Sequence, residues 1–201
     1  MTDPLDQPDE GTPLTDEERQ GLRLPVLTRK ELNRAEAENI IQAMTWLFLS
    51  RRLRPESVTR EAWLRRLHGR MYAQVWTWAG QYRTIDRNLG VPYWQIRVDM
   101  RDLEADVRAW LADTSATRFS DDECAIRFGY RLVVIHPFPN GNGRWSRLAS
   151  DALVVALGGQ RFTWGGVSLT EAGQLRRSYI TALQTAHTAR DFGPLMAFAR
   201  T

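Results

Sequence analysis

Between His136 and Arg147 the chain reads His-Pro-Phe-Pro-Asn-Gly-Asn-Gly-Arg-Trp-Ser-Arg. An imidazole near its ordinary pKa accepts a hydroxyl proton at neutral pH, which makes His136 a candidate general base. Gly141 and Gly143 flank Asn142, and glycine lets bare backbone amides approach a ligand closely and adopt positive φ without strain. Arg144 and Arg147 stand three apart, a spacing that puts two guanidiniums on one helix face, within reach of the same polyphosphate. A histidine beside a proline, or a Gly-Asn-Gly, reads alone as an ordinary structural turn. At fixed offsets in one window they point to phosphoryl or nucleotidyl transfer, with the asparagine and glycine amides around one phosphate and the arginines on the others.

Two helices are needed to present these groups. From Cys124 the apolar residues Ile126, Tyr130, Val133 and Val134 recur at helical spacing, and Pro137 ends that helix because the residue before a proline is pushed out of the α region. From about Asn142 onward Trp145, Leu148, Ala149, Ala152, Leu153 and Ala156 recur at helical spacing, so the glycines open a second helix, whose free N–H groups and dipole end attract anions. Thr28 with Glu31 opens a helix through about Ser50, and Ser120 with Glu123 caps the one that runs into His136. A helix from about Thr59 ends at Gly80, and further helices are expected from Asp99, from about Thr170 to Ala189 and from about Asp191 to Ala199. Between Tyr82 and Val98 the helical pattern breaks, and Asn88, Gly90 and Pro92 as turn formers suggest a β-hairpin. The fold class is mainly α with one hairpin.

The His136–Arg147 window resembles the signature of the Fic (filamentation induced by cAMP) domain, His-x-Phe-x-(Asp or Glu)-Gly-Asn-Gly-Arg-x-x-Arg, with Asn140 as the one departure. Pro139-Asn140, the run Trp76 to Arg83 and Glu31-Leu32-Asn33 resemble the branch called mobile mystery protein B. The resemblance covers roughly residues 28 to 199. It implies a Fic-like helical domain with a β-hairpin flap and a protein adenylyltransferase that moves AMP from ATP to a serine, threonine or tyrosine hydroxyl of a target protein. His136 would be the base, with Gly141, Asn142, Gly143, Arg144 and Arg147 holding the nucleotide. Mg²⁺ would sit at Asn140, more weakly than at the usual carboxylate because an amide offers one uncharged oxygen. Tyr82, Arg83 and Trp94 fall on the flap, which would hold the target by edge pairing. Glu38-Asn39 resembles the end of the family's inhibitory motif, whose glutamate pairs with the second signature arginine, here Arg147; Glu36 competes for that role, and both acids also read as ordinary helix-surface charges. A helix-turn-helix, antitoxin-like partner is a further implication. Asn140 leaves an alternative open: a nucleotide-binding protein with a different phosphotransfer activity, or with no catalysis.

Composition sets the remaining bounds. A chain of 201 residues, 43% hydrophobic with eight tryptophans, suits one packed domain over 28–201 behind an acidic tail and short lead-in, 1–27, expected to be largely disordered. No apolar run is long enough to span a bilayer and no leader is evident, so a soluble, cytoplasmic protein is expected. The lone cysteine, Cys124, excludes an internal disulfide. Seven acids, Asp3 to Glu18, precede the first basic residue, Arg19, which leaves the body basic. The arginines are scattered and Lys30 is the single lysine, so a nucleic-acid partner is not favoured. His68 and His187 show no metal-ligand spacing with His136; His68 reads as ordinary, and His187 as a helix-end cation.

Overall fold

The computed structural model describes residues 19–25, 28–49, 53–166 and 172–201. Eight α-helices follow one another among these residues: α1 (Arg29–Leu49), α2 (Pro55–Val58), α3 (Glu61–Tyr72), α4 (Ile96–Ala112), α5 (Asp121–Ile135), α6 (Asn142–Ala156), α7 (Ala172–Thr188) and α8 (Gly193–Arg200). The expected acidic tail, 1–18, lies outside the described residues.

Both capping boxes form where the sequence places them. The Thr28 N–H donates to the Glu31 carboxylate (3.0 Å), and the Glu31 N–H returns a bond to the Thr28 hydroxyl (3.3 Å). Ser120 accepts from the Glu123 N–H at 3.1 Å, starting α5. Each box satisfies helix-end donors that would otherwise lack partners.

The core is built around α5 and α6, which pack along their lengths. Their contact is close because Gly129 faces Ser150: a Cβ at Gly129 would overlap the Ser150 hydroxyl. Trp145, fully buried, donates its indole N–H to the Leu64 carbonyl at 3.0 Å and so fixes α6 against α3. On the other side, Tyr130 bonds to His187 Nδ1 at 2.9 Å and ties α5 to α7. His187 is therefore a cross-helix anchor as well as a last-turn residue.

One expected element is corrected. No strand occurs among the described residues beyond an isolated bridge between Leu22 and Trp76, and 82–98 does not form a hairpin. Val91 and Ile85 give their carbonyls to the Arg83 guanidinium, so the groups a ladder would use are turned inward. Ile96 is the first member of a helical stripe completed by buried Met100, Leu103 and Val107. That stripe draws the chain into a 3₁₀ turn, Tyr93–Gln95, and starts α4 at Ile96, three residues earlier than expected.

The α5–α6 contact gives a direct stability test. Gly129→Ala is expected to destabilise the protein by about 1–3 kcal/mol through overpacking, and adding Ser150→Ala should recover part of that loss. Urea midpoints of wild type, both single variants and the double variant measure it; a double variant no more stable than Gly129→Ala would disprove the contact.

Candidate active site

His136 ends α5. Its N–H still bonds to the Leu132 carbonyl (3.1 Å), but its backbone is left-handed, with φ 51° and ψ 58°. This conformation is strained for a residue with a Cβ, and the segment 83–91 holds it in place. The Arg83 N–H donates to the Pro137 carbonyl (3.0 Å), the Val91 N–H to the Ile135 carbonyl (3.3 Å) and Arg83 Nε to the His136 carbonyl (2.8 Å). Gly90, at φ 98°, lies so close that a Cβ there would sit 2.6 Å from the His136 Cβ. The imidazole is half-buried, and its pKa is lowered to about 4 by burial, with the Arg83 and Arg87 cations pushing the same way. A hydrogen bond to the Val133 backbone opposes this shift. One ring nitrogen thus keeps the proton for that carbonyl, and at neutral pH the other is a free acceptor.

Phe138 is the buried root of the signature loop. Its ring stacks on His68 (3.7 Å between centroids, 20° between planes) and meets Trp145 edge-on at 4.8 Å. His68 is fully buried and uses both nitrogens: Nδ1 accepts from the Gly80 N–H at 3.0 Å, so Nε2 carries the proton and donates to the Asn140 carbonyl at 3.1 Å. Burial lowers its pKa to about 3, and it stays neutral. In the sequence His68 reads as an ordinary residue. The available signal was its place on the apolar stripe of α3, shared with Leu64, Leu67, Met71 and Tyr72.

The other signature residues divide into those that hold the loop and those that face outward. Asn142 was expected at a phosphate. Its buried side chain instead clamps Phe138, accepting from the Phe138 N–H (3.0 Å) and donating to the Phe138 carbonyl (2.8 Å). Gly141, at φ 79°, lies against Tyr72, whose ring carbon would be 2.5 Å from an added Cβ. A Cβ at Gly143 would meet nothing within 4 Å. Gly143 thus leaves open space at the start of α6, where free N–H groups favour an anion.

The arginines reach different neighbours. Arg144 bonds to Glu36 at 2.6 Å and lies 5.3 Å from the Tyr72 ring centroid. Arg147 donates Nε to the Gly143 carbonyl (3.3 Å) and lies over Tyr179. The expected Glu38–Arg147 pair is absent: Glu38 is on the outer face of α1 and binds Arg34 at 3.0 Å. Glu36 is the acid that faces the site, buried and also holding the Trp76 indole N–H at 2.7 Å. Asn39, which the resemblance pairs with Glu38, is as buried as Glu36 and caps the end of α3 by bonds to Arg70 and Gln74. Of the expected flap residues, Arg83 is buried and Tyr82 packs beside Phe138 at 5.5 Å, while Trp94 is exposed.

The donor set does not fit a metal held by the protein. Asn140 offers one neutral side-chain oxygen, which already accepts from the Gly141 N–H at 2.6 Å. No group of three His, Cys, Asp or Glu residues suited to a metal ion exists among the described residues.

His68 can be tested without an activity assay. His68→Ala should cost about 3 kcal/mol or more, since it leaves a cavity and two buried backbone groups unpaired. Because the folded pKa lies below the unfolded value of 6.5, its contribution is whole above about pH 6.5 and is lost as pH falls towards 3. Asp151, raised to about 6 by burial, acts in the opposite direction in both proteins. Urea unfolding at about pH 7 and about pH 5 should therefore show a smaller acid loss in the variant; equal losses would contradict the buried neutral state.

Several solved structures share this fold. BepC from Bartonella tribocorum, crystallised with AMPPNP, is 18% identical over 92% of this chain and 97% of its own, with a TM-score of 0.64. The N-terminal Fic domain of a putative cell filamentation protein from Bartonella quintana, with bound ADP, is 20% identical over 89% of this chain and 87% of its own, TM-score 0.63. Fic-1 from C. elegans is 22% identical over 90% of this chain but only 50% of its own, TM-score 0.64. Among curated proteins none matches the chain. Residues 58–154 match the model of the Fic/DOC family, as a family and not as one branch of it. The chain thus carries a stretch similar to the Fic/DOC family that takes in both His136 and Arg147, within a fold that solved Fic domains share.

Proposed function

We propose that this protein is a nucleotidyltransferase that moves AMP from ATP to a hydroxyl group of a target protein. One observation carries the reading: a neutral imidazole, its proton directed to Val133, is held beside a helix N-terminus whose Gly143 faces open space. The unprotonated nitrogen of His136 takes the proton of the attacking hydroxyl. The hydroxyl oxygen bonds to the α-phosphorus as the bond to the β-phosphate oxygen breaks, and pyrophosphate leaves. Amides around Gly143 and the first turn of α6 receive the phosphate charge, with Arg144 and Arg147 at the outer phosphates. Bound AMPPNP and ADP in two solved structures of this fold support a nucleotide as ligand. No divalent ion is assigned, because the donors around Asn140 do not make a site for one. The exposed apolar side chains Leu89, on the loop that clamps His136, and Tyr93 and Trp94, in the 3₁₀ turn after it, form the surface for the target segment.

Incubation with labelled ATP and a cell lysate should label a discrete protein. His136→Ala should abolish the label, and Gly143→Ala, which clashes with nothing in the protein itself, should reduce it without lowering stability. Equal labelling by wild type and His136→Ala would end this proposal. With the base titrating near pH 4, activity should stay level down through pH 6.5 and fall only in stronger acid.

Glu36 supplies the autoinhibitory contact in this reading. By pairing with Arg144 it keeps one phosphate-binding guanidinium occupied. Glu36→Gln preserves an acceptor for Trp76 and removes the charge, so label incorporation should rise several-fold. Glu38→Gly should change nothing. Lower or unchanged incorporation in Glu36→Gln would make the pair purely structural.

A further inference from the structure

Helix α3 has two faces. Leu64, Leu67, His68, Met71 and Tyr72 are buried and belong to the core and to the site described above. Ala62, Arg65, Arg66, Gly69, Arg70 and Ala73 share the opposite side at helical spacing, and with α1 and the turn segment 73–81 they line a groove of about 720 Å³. No Asp or Glu among the described residues lines it. Arg66 and Arg70 are exposed and stand four apart, so their guanidiniums share one ridge of the helix. Like charges at that spacing disfavour the helix by themselves, and an anion seated between them turns repulsion into attraction. Arg65, which donates to the Gly80 carbonyl at 3.0 Å, brings a third guanidinium to the wall.

The rest of the lining selects among anions. Gln74 Nε2 donates to Gln42 Oε1 at 2.7 Å, which leaves the amino group of Gln42 and the side-chain oxygen of Gln74 for a peptide main chain, since each amide both donates and accepts. Trp46 is the one aromatic residue of the lining among the described residues, and the Arg70 guanidinium lies over its ring, 5.1 Å from the centroid. Single-stranded nucleic acid needs aromatic faces for its bases as well as positive charge, and here the ring face carries a guanidinium instead. Carboxylates need only the guanidiniums.

We infer that this groove docks an extended, acidic segment of a partner protein, with its carboxylates on Arg65, Arg66 and Arg70 and its main chain on Gln42 and Gln74. Each exposed ion pair is weak and salt-screened, so binding rests on several pairs made together. The groove lies on the side of α3 away from His68 and the signature loop, and the inference does not depend on the transfer chemistry proposed above.

The test records backbone amide spectra of the full chain with a short acetylated peptide of alternating Glu and Gly. Shifts should centre on Arg66, Arg70, Gln74 and Gln81, saturate with peptide at low salt and vanish at high salt, and a Gln-Gly peptide of the same length should give none. Arg66→Gln/Arg70→Gln should raise the Kd roughly tenfold. Arg101→Gln/Arg177→Gln, which removes exposed charges from α4 and α7, should leave it unchanged. Because Arg66 and Arg70 are exposed, an otherwise unaltered amide spectrum will show that their double variant is folded. Shifts scattered over the basic surface, none at millimolar peptide, an unchanged Kd in Arg66→Gln/Arg70→Gln, or tighter binding of an oligothymidylate of equal charge would each overturn the assignment, the last by giving the groove to nucleic acid.

Discussion

A single buried guanidinium organises the approach to His136. The Arg83 side chain is fully enclosed, and its donors go to the carbonyls of Ile85, Val91 and His136, with Asp86 at 3.8 Å as the nearest paired carboxylate. A charge removed from water is costly unless its donors are met, so the loop 83–91 has little freedom to fold in another way. Burial moves the Arg83 pKa down, yet guanidinium is far too basic to give up its proton at neutral pH. The cation is therefore a fixed feature of the site. It holds the loop closed, anchors the carbonyl of the left-handed His136 and disfavours a second positive charge on the imidazole.

The floor of the site depends on a second arrangement, aromatic instead of ionic. Phe138 lies between His68 and Trp145, and Trp145 is in turn bonded to α3 through Leu64. His68 links Gly80, at the end of the helix-turn segment, to Asn140 in the signature loop. Asn142 closes the loop on itself through both backbone groups of Phe138. These contacts satisfy buried polar atoms in pairs, which rigidifies a polar network where a half-satisfied one would be destabilising. That rigidity holds the α6 N-terminus and the imidazole in a fixed relation.

How much of this could be read in advance follows from the range of each interaction. Helices whose boundaries rest on contacts within one turn were legible: Thr28 with Glu31 and Ser120 with Glu123 form as the sequence implies. His136 at a chain reversal and the helix start after the glycines were legible too, since Pro137 and Gly141 act on their own backbones. The hairpin was not, because turn-forming residues between 82 and 98 are equally compatible with a loop wrapped around Arg83, and nothing local reveals a buried guanidinium. Glu36 and Glu38 illustrate the same limit. Two residues apart on α1, they differ by about half a turn of helix, and only the packing of α1 against Trp76 and Arg144 decides which acid faces inward. The roles of His68 and Asn142 likewise depend on partners that the sequence pattern cannot specify.

Asn140 takes on a different meaning once the loop is seen. Its carbonyl accepts from His68 and its side-chain oxygen from the Gly141 N–H, so both of its oxygens are used in shaping the turn that starts α6. A carboxylate at this position would place a negative charge within one residue of the helix N-terminus, where it would compete with an incoming phosphate for the same amides. The neutral amide keeps the turn and leaves the positive end of α6 undiminished. Attraction for a polyphosphate then rests on groups the chain itself provides, the first-turn amides and the two arginines, one of which is already engaged by Glu36. In the proposed reading, the state of the Glu36–Arg144 pair governs a large part of that positive charge, because the pair occupies one of the two arginines.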